Sequence, residues 1–280
     1  MNYKKIDFES TYFDLFELTE GIHAAISTND SEMSVSAGIL DLGNYLIVYD
    51  TLYYPGGTRD LYKAVKELYG KDPSFIINSH YHGDHVFGNY YFPNNIPIIS
   101  TSITEKRIKK DVFEQLKQFR KTAEEEIQKR KEMLNSDDPP FGEIEIHNDI
   151  EFYNDVTNPD FKIRLPNFLI NNNLIINGTK RALHLIPFDT GHTDSDIIAY
   201  LPDDKICFMG GLLNANIDDS WAPNDTGRFN AFDPSKLYEI LKSIIEKDLE
   251  IYVAGHGGIS TVETVQMNMD FIKKYYLENS

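Results

Sequence analysis

The sequence predicts a layered α/β protein. Three observations carry this reading. Strand-sized apolar runs are punctuated by turn signals, the chain orders strand, helix, strand before residue 80, and helical and strand patterns alternate again after residue 230. Hydrophobic residues make up 41% and charged residues 25% of the 280 positions, a globular composition with enough apolar material for a substantial core. No repeat, low-complexity linker or clean boundary divides the chain, so residues 1–280 are read as a single domain.

The elements follow in order. Ile22, Ala24 and Ile26 alternate, as do Val35, Ala37 and Ile39, which predicts strands. Asp-Leu-Gly-Asn at 41–44 is a turn signal, and Tyr45 to Tyr49 is an apolar strand. A helix is expected near 59–69, with Leu61, Val65 and Leu68 on one face and Gly70 as its stop. Phe75 to Ile77 is a short buried strand. Residues 103–134 are rich in Lys, Glu, Gln and Arg, with sparse apolar positions at Ile108, Val112, Leu116 and Phe119. This reads as one long, mostly solvated helix, a surface insertion at about 103–135 packing a narrow stripe, in preference to a partner-binding coiled coil. Asp-Asp-Pro-Pro at 137–140 ends it. Strands are expected again at 174–176, 182–186, 197–201, 206–209 and 251–254. Asp233 is the expected N-cap of a helix with Pro234 at its first position and Leu237, Ile240, Leu241 and Ile244 on its apolar face. Ser260 and Glu263 form a capping-box pattern for the last helix.

Charge narrows the function classes. With 27 basic and 44 acidic residues the formal net charge is −17, which disfavours nucleic acid and anionic membrane surfaces as partners. No apolar run is long enough to cross a bilayer. No apolar stretch follows Lys4 and Lys5, so a cytoplasmic location is expected; a chain whose leader had been removed would read the same. The lone cysteine, Cys207, rules out an intramolecular disulfide and a four-thiolate zinc site, and its apolar surroundings make it a buried strand thiol.

Three of the eight histidines fall within six residues, in the motif His80-x-His82-x-Asp84-His85. The motif follows the strand ending at Ile77, so it belongs on a loop at a strand's carboxyl end, where α/β sheets place ligands. In an extended loop, residues two apart point the same way, so His80 and His82 can grip one ion. Gly83 lets the chain turn, and Asp84 and His85 can then face a second ion beside the first. Imidazole and carboxylate without thiolate suit zinc by default, with iron or manganese as alternatives. His192 and His256 each follow an expected strand and a glycine, and are read as further ligands. His23 and His147 are read as structural or surface residues, as is His184, although it lies on the strand leading to His192.

With these motifs in hand, the chain resembles the metallo-β-lactamase superfamily. His-Tyr-His-Gly-Asp-His (80–85) matches its HxHxDH signature, and Gly-His-Thr (191–193) and Gly-His-Gly (255–257) match the later motifs in order. The resemblance spans nearly the whole chain. It implies an αββα four-layer sandwich with the helical insertion added. It also implies that His80, His82 and His192 form a first metal site, and Asp84, His85 and His256 a second. One position departs from the pattern. Most family hydrolases carry a metal-bridging aspartate where Phe-Met-Gly-Gly (208–211) has Gly211, and Leu212 is no thiolate substitute. The six remaining ligands are the set of a β-lactamase subclass that lacks a bridging side chain. The loss is therefore compatible with two metals but weakens the second site, for which Asp218 or Asp219 is a substitute donor.

The resemblance implies a dizinc hydrolase that uses a metal-bound hydroxide, with Asp84 beside the leaving group. A small cyclic amide or ester is the expected substrate, a β-lactam first and a lactone next. A glyoxalase-type thioesterase and a non-catalytic metal or ligand binder are the alternatives, the latter because of Gly211. Tyr81, Trp221, Asn224 and Arg228 are candidate substrate contacts, Arg228 for a carboxylate. Packing for Tyr81, and an aromatic anchor for the loop at 214–232, are the competing readings. Oligomeric state is not legible.

Overall fold

The computed structural model describes residues 3–28, 35–136, 141–221 and 231–278. Two β-sheets lie face to face. The first holds β1 (Lys4–Lys5), β2 (Phe13–Thr19), β3 (Ile22–Ser27), β4 (Ala37–Asp41), β5 (Leu46–Tyr49), β6 (Phe75–Ile77), β7 (Ile98–Thr101) and β8 (Phe168–Ile170) in that spatial order. Its early pairs are antiparallel, and β5 to β8 run parallel. The second holds β9 (Leu174–Asn177), β10 (Ala182–Phe188), β11 (Asp196–Leu201), β12 (Ile206–Phe208), β13 (Ile251–Val253) and β14 (Ile259–Ser260). Among the described residues only its β12–β13 pair is parallel. The helices among the described residues are α1 (Pro55–Tyr69), α2 (Gly83–Val86), α3 (Ser102–Arg107), α4 (Phe113–Leu134), α5 (Glu143–Thr157), α6 (Pro234–Ile245) and α7 (Val262–Ile272).

The two-residue period of the strands sorts side chains into layers. Ile47, Tyr49 and Ile77 meet Leu185, Ile197 and Phe208 between the sheets. Their neighbours Val48 and Ile76 face outward onto Leu61, Ala64 and Val65 of α1. Ile198, Cys207 and Tyr252 likewise face Leu237 and Leu241 of α6 and Val265 and Met269 of α7. Helix, sheet, sheet and helix thus form the four-layer αββα sandwich. Both sheet faces are covered, which is why the central strands read as unbroken apolar runs. Cys207 is fully buried, as expected.

Local signals behave largely as read. Gly70 closes α1 in the left-handed conformation (φ +64°), and α1 starts earlier than expected, with Pro55 in its first turn. Asp233 caps α6, its Oδ1 accepting from the Lys236 N–H at 3.0 Å. The last helix differs: Ser260 still pairs with Tyr252 in β14, and Thr261 is the N-cap, its hydroxyl on the Glu263 carboxylate. The expected capping box falls one residue early because β14 holds Ser260. No helix among the described residues is long and apolar enough to cross a membrane.

The helical excursion between β7 and β8 is larger than expected. α3 passes through a π-turn at Ile108–Val112 into α4, with Ile108, Val112, Leu116 and Ala123 forming the buried stripe. Residues 137–140, the expected terminator, lie outside the described residues. Then α5, not anticipated from sequence, returns along α4 and buries Ile146, Phe152 and Val156. Phe152 stacks on Tyr53 with centroids 4.4 Å apart and meets Phe87 at 5.5 Å, so an aromatic core ties the excursion to the loops after β5 and α2.

Candidate metal centre

The histidine motif leaves the end of β6 and enters α2. His80 is buried at the end of the loop, and His82 is extended (φ −60°, ψ 144°) at the residue just before α2. Gly83 is a packing requirement, since a Cβ there would lie 2.5 Å from the Phe87 ring. Asp84 and His85 follow in the first turn. His192 arrives from the loop after β10, and His256 from the loop after β13, where its backbone bridges to Val35 and Asn214.

These elements bring two groups together. In His80, His82 and His192 the potential donor atoms all lie within 4.8 Å of one another, and the same holds for Asp84, His85 and His256. The groups adjoin: the His80 and His85 rings are 4.3 Å apart. His192 Nε2 is 3.1 Å from His82 Nδ1, and Asp84 Oδ2 is 3.4 Å from both His85 Nε2 and His256 Nε2.

Two orphaned atoms test whether such a cluster fits a metal. The Nε2 atoms of His80 and His85 are buried without a hydrogen-bond partner, that of His85 having the Asp84 carboxylate at 3.4 Å. Their opposite ring nitrogens are engaged, His80 Nδ1 by Ser79 Oγ at 2.9 Å and His85 Nδ1 by Asp50 Oδ2 at 2.8 Å. A buried polar atom left unpaired costs about 1–3 kcal/mol, and a cation between the imidazoles would satisfy both. Nitrogen and carboxylate donors with oriented outer nitrogens fit zinc and comparable divalent ions.

The electrostatics differ between the two groups. Burial, reinforced by the surrounding imidazoles, holds the His80 pKa well below the ordinary histidine value, so the ring stays neutral. Burial would raise the Asp84 pKa, but His85 and His256 outweigh it and keep the carboxyl below its usual range. Burial would lower the His85 pKa, yet Asp84 and Asp50 raise it.

Sequence reading missed two supporting carboxylates. Asp50 is fully buried just after β5, accepts from the Ser79 N–H at 2.7 Å as well as from His85, and has φ +57°. A left-handed non-glycine residue costs about 1–3 kcal/mol and clusters at functional sites. The available signal was an aspartate closing an apolar strand. Asp196 accepts from the Thr193 N–H and hydroxyl, both at 2.9 Å, and so shapes the turn that carries His192. Its burial raises its pKa to about 7.

The remaining candidates fall differently. Gly211 faces the ring of His192, and a Cβ there would lie 2.2 Å from His192 Cδ2. Asp219 is engaged by Lys274 Nζ and Tyr275 Oη, both at 2.9 Å, and Asp218 by Ser220. Tyr81 is half-buried between the His82 ring (4.9 Å) and the Arg107 guanidinium (5.7 Å). Trp221 is half-buried against the core beneath α6 and α7, as an anchor would be. Asn224 and Arg228 lie outside the described residues. His23 is buried beside Tyr69, His147 is exposed, and His184 lies edge-on to Tyr200.

An αββα sandwich with a histidine- and aspartate-lined cluster at its strand ends defines a metallohydrolase-type class. The family model of the metallo-beta-lactamase superfamily matches residues 31–256, and the chain belongs to that superfamily. Among solved structures, VMB-1 at pH 5.5 superposes with TM-score 0.64 at 18% identity, covering 95% of this chain and 99% of that one. A metallo-beta-lactamase from Pontibacter korlensis gives 0.65 at 13%, covering 93% and 99%. FIM-1 from Pseudomonas aeruginosa, in a mono-zinc form, gives 0.65 at 13%, covering 94% and 96%. These likenesses establish the fold. The comparison with curated proteins gives no match. Family and donor set together support a metal-dependent hydrolase in general.

Proposed function

We propose that this chain holds two divalent ions, zinc by donor chemistry, and hydrolyses a small cyclic amide or ester, with β-lactams the first class and lactones the second. The observation that carries the proposal is the pair of adjoining donor groups with orphaned, buried Nε2 atoms on His80 and His85. His80, His82 and His192 would hold one ion, and Asp84, His85 and His256 the other. Bound there, such ions supply Lewis acidity and make water nucleophilic at neutral pH.

The protein's own contribution is arrangement and proton handling. Asp50 and Ser79 fix the outer nitrogens of His85 and His80, so the inner ones face the cluster. Asp84 is the only carboxylate of the six, and its side chain retains 16% exposure. Kept ionised by two histidines, it can take a proton from attacking water and return it to the leaving nitrogen or oxygen. β-Lactams come first because a solved structure of the same fold is a metallo-beta-lactamase from Pontibacter korlensis.

A turnover panel of β-lactams, lactones and thioesters tests the proposal, run on wild type and Asp84→Ala with metal content measured in parallel. Hydrolysis of a cyclic amide or ester that falls at least about 100-fold in the variant is the expected result. Turnover of thioesters alone would favour the thioesterase reading, and ligand binding without turnover the non-catalytic one.

A further inference from the structure

We infer that Arg107, in the helical excursion, is a positioning residue for the first donor group, holding the loops of His82 and His192 in one grip. The inference rests on the metal-site reading proposed above. Two nitrogens of Arg107 converge on one oxygen of Asp194: Nε lies 2.8 Å and Nη2 2.5 Å from Oδ2. The third, Nη1, is 3.4 Å from Asp111. Asp194 stands two residues after His192. The face of the same guanidinium lies 5.7 Å from the centroid of Tyr81, whose ring meets His82 edge-on at 4.9 Å. One turn earlier in α3, Thr104 Oγ1 donates to the Ser195 carbonyl at 3.2 Å, fixing that loop a second time.

Arg107 therefore backs two of the three first-group residues from outside, while His82 Nδ1 and His192 Nε2 face each other at 3.1 Å inside. Its removal leaves a largely buried carboxylate unpaired. Asp194 Oδ1 is already buried without a hydrogen-bond partner, so losing Arg107 favours movement of the carboxylate toward water and loosens its loop. The second group does not depend on this grip. Asp84 and His85 are set by α2 and Asp50, and His256 by its backbone bridges to Val35 and Asn214. The excursion is thus part of the site's scaffold, and its effect is confined to one half of it.

The experiment is a competitive Co²⁺ titration against a chromophoric chelator, with visible absorption spectra, on full-length wild type, Arg107→Met, Arg107→Lys and Asp194→Asn. The expected result is one Co²⁺ affinity weakened about 10- to 100-fold in Arg107→Met. The other affinity is unchanged, Asp194→Asn is intermediate, and Arg107→Lys recovers part of the loss. The d–d bands should change for one ion only. Thermal melts of the metal-free proteins report folding separately, and Asp194→Asn carries the test if Arg107→Met does not fold. Equal weakening of both ions, or unchanged affinities in Arg107→Met and Asp194→Asn, overturns the inference and leaves the metal-site reading intact. A wild-type chain that binds no Co²⁺ overturns both.

Discussion

The ring of His192 occupies the space in front of Gly211, so close that a Cβ on that residue would lie 2.2 Å from His192 Cδ2. The position at which family relatives carry a bridging aspartate is here the floor on which a histidine rests. Gly211→Asp should therefore not restore a bridge. It should displace His192 and weaken the first ion about 10- to 100-fold, and Gly211→Ala should do the same without adding a donor. Metal affinity in both variants is the check; tighter binding in Gly211→Asp would refute this reading.

Asp50 should matter beyond its distance from the chemistry. It accepts from Ser79 N–H and His85 Nδ1 while fully buried. Asp50→Ala leaves both donors unpaired, a cost of about 1–3 kcal/mol each, and frees the His85 ring. Denaturant unfolding and metal titration should fall together, with the second ion affected more than the first.

The Asp41–Lys180 pair should contribute to the acid limb of stability. Burial alone would raise the Asp41 pKa, but the hydrogen bonds from Lys180 Nζ (2.6 Å) and the Gly43 N–H (2.9 Å) hold it below the ordinary aspartate value. A pKa depressed by folding means stability that is present above the unfolded-state pKa and lost as pH falls through the folded one. Unfolding free energies measured from pH 7 down to pH 3 should therefore decline less steeply in Asp41→Asn than in wild type.

The Cys207 thiol should be silent in the native protein. It is fully buried on the α6 and α7 side of β12, and burial pushes its pKa up. Thiol titration with a disulfide reagent should give no reaction in native conditions and one equivalent in denaturant.

Much of this was legible because it is local. Four of the six clustered residues lie within six positions of sequence, and the glycines before His192 and His256 mark strand-end turns. Asp233 and Gly70 announced their helix ends by residue type alone. What escaped depends on contacts remote in sequence. Asp50 acquires its role only when β5 pairs with β6 and brings Ser79 and His85 within reach. The closeness of Gly211 to His192 needs the loop after β10 folded against the one after β12. α5 was hidden by its Glu-Ile-Glu-Ile start, which alternates like a strand, while its buried Ile146, Phe152 and Val156 find partners only on the loops it covers. Arg107 looked like one more charge on a solvated helix until Asp194 and Tyr81 closed on it.

The most direct test of the central claim is the metal content of full-length protein purified without chelator, before and after dialysis against zinc. The account expects close to two ions per chain, with His80→Ala and His85→Ala each removing one. A protein that carries no metal and takes up none when zinc is supplied would contradict it.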